Sequence, residues 1–400
     1  MSLFEQLISF RCLRLRVEVT ATRRIELPAY LGSTLRGAFG MALRRSACAL
    51  RRQECGTCLL RASCIYSYTF ETPLADGYDD QRRYATAPHP FVLNLETGTS
   101  GIQEVGSTFS FGITLVGRAC EFLPYFVYAF QRMGELGIGK GRGTFELLQV
   151  HNLGLADEAR LPGAACGQSM IPRLAPPHPG IPPLPKDHDV ISPLPKDHTL
   201  IPTLSKDHNV NPPLSKGGRG DFTPEDDDGD PISPDIYSAE TLYQDGVLTM
   251  PREFLGLREA QNLSAQLSRQ AVRLRFLTPL RLVVDGDLCT DPQFYILARN
   301  LLRRLGNLVS FHCGQEADLP VGPLLDVAET VRLTERRTLW YDWERYSKRQ
   351  DKRMKLGGLV GELTYEGDLT EFLPLLVLGS WVNLGKGTSF GLGRYRLVTV

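Results

Sequence analysis

Two passages of this chain repeat one another across the length of the protein. EFLP stands at residues 121–124 and again at 371–374. Each copy opens an apolar, helix-like run, and each run ends in a glycine loop containing GKG, at 139–141 and 385–387. Strand-like alternating stretches precede the copies (FSFGITLVG, GLVGELTYEG), and others follow the loops (TFELLQV, RYRLVTV). The beginnings correspond as well: LRLRVEVTA (13–21) leads to GSTLRGAFGMALRRSA, and AVRLRFLTPLRLVV (271–284) leads to DPQFYILARNLLRRLG. Further strands near HPFVL and TVRLTERRTLWYDW complete the order strand, helix, strand, strand, helix, strand twice. Such a duplication predicts an α+β protein of two tandem ferredoxin-like (βαββαβ) domains.

A repeat of another kind lies between the halves. IPPLPKDHDV, ISPLPKDHTL, IPTLSKDHNV and NPPLSKGGRG run in ten-residue copies from Ile181 to Gly220, and EDDDGD follows. Rich in Pro and poor in core-forming side chains, this stretch cannot bury enough surface to offset the entropy of ordering it. The expected organisation is an N-terminal domain at 1–160, a disordered Pro-rich insertion at 161–245 and a C-terminal domain at 246–400. His188, His198 and His208 recur inside near-identical tandem copies, which reads as sequence expansion, not as a metal site.

The insertion also hides the charge of the rest. The formal net charge is +0, yet residues 174–240 carry 5 basic and 12 acidic side chains, leaving 40 and 33 elsewhere. Residues 11–52 alone hold ten Arg against two Glu. Arg presents a planar fork of donors suited to phosphates and base edges, so a polyanionic partner is one reading and a solvated basic face the other. MSLFEQLISFRCLRLR has an acid at Glu5 and no small-residue cleavage site. The apolar run LPLLVLGSWV is too short for a bilayer. A cytoplasmic protein without membrane partners is expected.

GKGTSFGLGRYRL, at 385–397, places four glycines in thirteen residues. Phosphate-binding loops of nucleotide enzymes follow a strand and open a helix; here the order is helix, loop, strand, which disfavours a nucleoside triphosphate. Gly385, Gly387, Gly391 and Gly393 are expected to offer open backbone N–H groups to a sugar–phosphate chain, with Lys386, Arg394 and the earlier loop's Lys140 supplying charge. Between 336 and 355, Trp340, Tyr341, Trp343 and Tyr346 alternate with eight basic side chains. Rings that stack on unpaired bases and cations that neutralise phosphates make Arg345, Lys348, Arg349 and Lys352 candidate RNA contacts; a solvated hairpin tip explains them equally well. Cys48, Cys55, Cys58 and Cys64 are spaced C-x6-C-x2-C-x5-C. Four thiolates can close a tetrahedral zinc site, and an iron–sulfur cluster uses the same ligands. Either group would be structural, with no ligand position left for water.

LPAYLGSTLRGAFG, the cysteine cluster with CIYSYTFETP, APHPFVLN, WYDWERYSKRQ, LGGLVGELTYEGDL and GKGTSFGLGRYRL resemble the CRISPR-associated endoribonucleases that cut precursor crRNA, within the repeat-associated mysterious protein (RAMP) superfamily. The resemblance covers both halves and skips residues from about 160 to 245. It implies two ferredoxin-like domains, a CRISPR repeat RNA as partner, and cleavage without metal by attack of a ribose 2′-hydroxyl on the neighbouring phosphate. Many members place an acid–base His at or after the first helix. This sequence has none from Gly32 to Cys64, which leaves Arg36, Arg45 and Lys386 as the candidate catalytic, charge-stabilising groups. His89 and His151 read as structural, and His312 follows the first helix of the second half, the wrong domain by analogy. A non-cleaving RNA-binding subunit of a CRISPR effector complex, in contact with other effector subunits, is the alternative. A zinc-stabilised DNA-binding protein is a third reading.

Overall fold

Strand β1 (Arg11–Ala21) founds the first sheet, with Leu13, Leu15, Val17 and Val19 alternating into the core. In the computed structural model, which describes residues 3–50, 53–73, 87–95, 100–154, 239–342, 344–347 and 352–398, helix α1 (Gly32–Ala47) follows. Leu35, Ala38, Phe39, Ala42 and Leu43 recur at helical spacing and are buried. The Phe39 ring sits 5.4–5.7 Å from those of Phe70, Phe91, Phe126 and Phe130. Next come β2 (Phe91–Asn94), β3 (Thr108–Val116), α2 (Leu123–Leu136) and β4 (Phe145–Asn152). Beyond these, β5 (Glu240–Gln244), β6 (Val247–Leu248) and β7 (Leu255–Gly256) join the same sheet, which runs β2-β3-β1-β4-β5-β6 with β7 paired to the start of β1.

The second half builds β8 (Ala271–Leu280), α3 (Phe294–His312), β9 (Arg332–Tyr341), a hairpin of β10 (Glu344–Ser347) and β11 (Lys352–Lys355), β12 (Gly358–Glu366), α4 (Phe372–Val382) and β13 (Tyr395–Val398). Its sheet runs β9-β12-β8-β13. Each half thus orders its strands as second, third, first, fourth, and all these pairings are antiparallel. The glycine loops repeat as well. Lys140 N–H donates to Glu26 O at 3.0 Å and Lys386 N–H to Arg281 O at 2.8 Å, each acceptor lying shortly after its half's first strand. Helix α4 is buried along its length except at Ser380, which explains an apolar run without a polar face. Among the described residues no helix is long and apolar enough to cross a membrane.

The boundary expected at residue 246 is corrected. Strands β5 to β7, residues 240–256, belong to the first sheet, where Tyr243 pairs with Val150 and Leu255 with Cys12. Backbone pairing at the free edge of β4, together with burial of Leu242 and Leu255, decides where this chain segment goes. The Pro-rich repeats lie outside the described residues.

The described residues all fall in one unit, Met1–Pro172 with Ser233–Val400, and the two halves interlock within it. Leu392, from the C-terminal glycine loop, is fully buried in the core of the first half, while Cys12, Val92 and Val116 of the first half sit in the core of the second. Tyr30 donates its hydroxyl to Phe390 O at 2.7 Å, and Arg394 Nη1 donates to Leu95 O at 2.5 Å. A Cβ on Gly32 would come within 1.9 Å of Phe390 O, so α1 approaches the loop more closely than any side chain allows. Removing the Leu392 side chain leaves a cavity at this joint. Leu392→Ala should therefore lower the unfolding free energy by about 2–5 kcal/mol in urea melts. A loss below about 1 kcal/mol would show that the joint does not depend on this side chain.

Candidate nucleic-acid interface

One face of α1 carries Arg36, Gly37, Gly40, Met41, Arg44 and Arg45, exposed at Gly37, Met41, Arg44 and Arg45, and Cys48 follows just past the helix end. Tyr66 and Phe70, from the helical turn after the cysteine loop, close the other side of a cavity of about 420 Å³. That volume suits a nucleotide-sized ligand. Among the described residues no carboxylate lines it. The Arg44 guanidinium lies 5.6 Å over the Tyr66 ring, which is itself stacked on Phe70 at 5.3 Å and 15°. Three arginines beside an aromatic pair can neutralise phosphate and stack on a base.

Arg36 forms the inner wall. Its guanidinium lies 4.6 Å over Phe390 and 5.3 Å over Phe70, Nε donates to Ser389 Oγ at 3.2 Å, and Nη2 lies 3.0 Å from His89 Nε2. The predicted Arg36 and Arg45 are therefore brought to one cavity, whose inner wall meets the glycine loop. Lys386 is exposed on that loop but does not line the cavity. Arg44, Tyr66 and Phe70 were not singled out by the sequence reading; Arg44 directly precedes Arg45, and the aromatic pair is separated from α1 by the cysteine loop.

The glycines need correction. Gly385, Gly387, Gly391 and Gly393 all take positive φ, from 69° to 84°, and a Cβ on Gly393 would lie 1.7 Å from Leu384 O. Gly391 and Gly393 are buried. The N–H groups of Lys386, Gly391 and Gly393 already donate to Arg281 O, Thr388 O and Pro279 O. This backbone is bare in order to turn and pack, and these three amides are not open to a sugar–phosphate chain. Arg394 Nη1 also donates across the joint to Leu95 O. Lys140 pairs with Glu26 at 3.5 Å, with 82% of its side chain exposed. Arg345 and Lys352 stand on opposite strands of the β10–β11 hairpin, and Lys348 and Arg349 lie outside the described residues.

The cysteines gather without forming a ligand set. Cys48, Cys58 and Cys64 line a second cavity of about 270 Å³. Burial pushes the Cys55 thiol up; Arg44 opposes the shift, while Glu71, Cys48 and Cys64 add to it. Four free thiols around one loop suit zinc by chemistry, yet among the described residues no three His, Cys, Asp or Glu are placed to hold an ion. Closing a four-thiolate site would require the loop at 55–64 to move toward Cys48.

His89, expected to be structural, and His312, set aside as lying in the wrong half, both lie at the joint. Each reads as a neutral ring in a fixed tautomer. A carbonyl only accepts, so His312 Nε2 donates to Pro88 O at 2.8 Å and Nδ1 accepts from the Tyr68 hydroxyl at 3.1 Å. Burial, with a smaller contribution from the Arg304 charge, lowers His312 to about 4. Burial and then the Arg36 charge lower His89 likewise to about 4. His151, on β4, lies 3.0 Å from Gln149 Oε1.

Against sequence-family models, residues 10–165 match one described as an N-terminal domain, and residues 274–395 match the CRISPR-associated endoribonuclease Cas6. Among curated proteins none matches significantly. Similar solved structures include a Cas6 (TTHB231) product complex, at 13% identity over 97% of this chain and 99% of that one, TM-score 0.46. Thermus thermophilus Cas6 (TTHB231) follows at 14% identity over 97% of this chain and 99% of that one, TM-score 0.45. A partial Cas6-RT-Cas1–Cas2 complex shares 11% identity over 99% of this chain and 47% of that one, TM-score 0.48. The assignment rests on the sequence match and not on these likenesses. The architecture is that of a two-part α+β protein with an arginine-lined cavity near its joint. Residues 274–395, within the second half, are what matches the CRISPR-associated endoribonuclease Cas6 family.

The depressed pKa values set an acid limit on stability. In the unfolded chain His312 regains an ordinary value of about 6.5, so below that pH the unfolded state binds the proton first. Stability should be fully present above pH 6.5 and fall as pH drops toward about 4, with a loss on the order of 3 kcal/mol from this group. Melts of the wild type and His312→Gln across that window test this: the variant should show a flatter profile, and matching slopes would reject the assignment.

Proposed function

We propose that this protein binds CRISPR repeat RNA and cleaves precursor crRNA without metal. The observation that carries the reading is the Arg36–Arg44–Arg45 cavity beside Tyr66 and Phe70, next to the joint of a chain whose residues 274–395 match the Cas6 family. The repeated strand order supports reading the halves as a tandem ferredoxin-like pair. In the reaction the ribose 2′-oxygen bonds to the adjacent phosphorus and the bond from phosphorus to the 5′-oxygen breaks. The products are a 2′,3′-cyclic phosphate and a 5′-hydroxyl. The proton leaving the 2′-hydroxyl balances the one gained by the leaving oxygen. Cations at the phosphorane lower the barrier as charge develops on its oxygens. Arg44 and Arg45 take that role, with Lys386 tethering the strand at the loop.

The absence of a histidine on α1 favours a second reading, an RNA-binding subunit of a CRISPR effector complex that does not cut. Neutral His89 and His312, both already engaged, support it too.

We also propose that zinc closes the cysteine loop, drawing residues 55–64 toward Cys48. Elemental analysis of the purified protein should give about one zinc per chain, lost in Cys55→Ser/Cys58→Ser; a metal-free wild type, or iron in its place, sinks this.

Incubating the protein with 5′-labelled repeat RNA in EDTA separates the two functional readings. Cleavage to a cyclic-phosphate end, slowed at least tenfold by Arg44→Ala/Arg45→Ala, is expected; a gel shift without product supports the non-cleaving subunit. Equal competition by duplex DNA would reject both.

A further inference from the structure

Arg36 is held by an unusual partner. Its Nη2 lies 3.0 Å from His89 Nε2, and a guanidinium can only donate, so Nε2 is the acceptor and the ring proton sits on Nδ1. That proton points to Thr72 Oγ1 at 3.3 Å. The ring is further fixed by Phe91, stacked at 5.8 Å and 25°, and by Phe70 at 6.4 Å. One residue upstream, Pro88 O accepts from His312 Nε2 of the second half. Residues 88 and 89 are thereby pinned from both sides of the joint, and His89 presents a lone pair, not a proton, to the arginine of the cavity wall.

We infer that His89 is the positioning residue of Arg36: its Nε2 lone pair fixes the guanidinium between Phe70 and Phe390 so that the Arg36 charge is directed at RNA phosphate in the cavity. This deepens, and rests on, the RNA-binding reading above. A neutral acceptor is required. A protonated ring would turn an N–H toward a cation and expel the guanidinium, whereas a carboxylate at this place would cancel the charge that the cavity uses. The same geometry argues against a general base, because the nitrogen that would take a proton from the ribose is already occupied by Arg36.

The test measures affinity for fluorescein-labelled, single-stranded repeat RNA from the host's CRISPR array as a function of salt, together with the cleavage rate against pH. For His89→Ala, affinity should fall about tenfold, and the slope of log K against log[salt] should shrink by about 0.7, the signature of one lost phosphate contact on a single strand. Arg36→Ala should match it, and the double variant should lose no more than either alone. His89→Gln, whose side-chain oxygen can accept in place of Nε2, should restore affinity to within about twofold and leave the pH profile of cleavage unchanged. If His89→Ala melts early, His89→Leu, which fills the ring's space without an acceptor, takes its place. The inference is overturned if losses at Arg36 and His89 add, or if the alanine variant binds with unaltered affinity and slope. It is equally overturned if alanine and glutamine alike abolish cleavage and remove a limb of the pH profile, which would make His89 an acid or base. Wild-type protein that fails to bind the RNA would reject the RNA-binding reading itself, an outcome distinct from these.

Discussion

The structure depends on the insertion of one loop into the opposite half. Leu392 enters the core built by the first half's sheet and helices, and the residues around it bond outward in fixed directions: Phe390 O to Tyr30, Ser389 to Arg36, Arg394 to Leu95 O. A buried leucine contributes on the order of 2 kcal/mol by transfer from water alone. What makes the contribution specific is the backbone. Four left-handed glycines let the chain reverse direction tightly enough to present a single apolar side chain between polar anchors. A chain with the same composition but side chains at those positions could not bring Gly32 and Phe390 together.

The cavity arises as a by-product of that joint. Because α1 presses its Gly32 end against the loop, the following turns of the helix form one wall of the cavity. The helix buries Leu35, Phe39 and Leu43 on one side, so Arg36, Arg44 and Arg45 stand on the other. A helix N-terminus anchored between two halves and a basic face directed outward are two consequences of one amphipathic pattern. The histidines fit the same electrostatics. Arg36 and Arg304 already place positive charge around residues 88, 89 and 312, and neutral imidazoles supply acceptors there without adding repulsion.

Much of this could be read in advance wherever the signal was local. Alternation at 13–21 and 271–280, helical spacing in α1 and α3, and the paired EFLP and GKG segments give both strand orders, because each reports a period along a contiguous stretch. Arg36 and Arg45 were found for the same reason, as cations on one helix. Pairings at long range were hidden. Nothing in ETLYQ or LG announces a place in the first sheet, which is decided by the free edge of β4 and the start of β1. His89 looked incidental because its partners, Arg36 and Thr72, and the neighbouring Pro88–His312 bond, exist only in three dimensions. The glycines were visible, but their burial was not: an open anion-binding loop and a packed plug have the same composition.

The two copies of the loop show how that ambiguity resolves. Both begin alike, with Lys140 and Lys386 donating backbone N–H groups to the segment after the half's first strand. Between GKG and the next strand the first copy has only Arg142–Thr144, and it closes on itself through the Ile138–Gly143 bridge. The second copy has Thr388–Arg394 in that interval, and those residues include Leu392, Ser389 and Phe390. A duplicated unit supplied the same backbone solution twice, and a longer interval in one copy turned it from a self-contained turn into the element that joins the halves and forms the wall of the cavity. The asymmetry between the copies, more than their likeness, therefore places the candidate site on α1 and not on its counterpart α3, which is buried along most of its length.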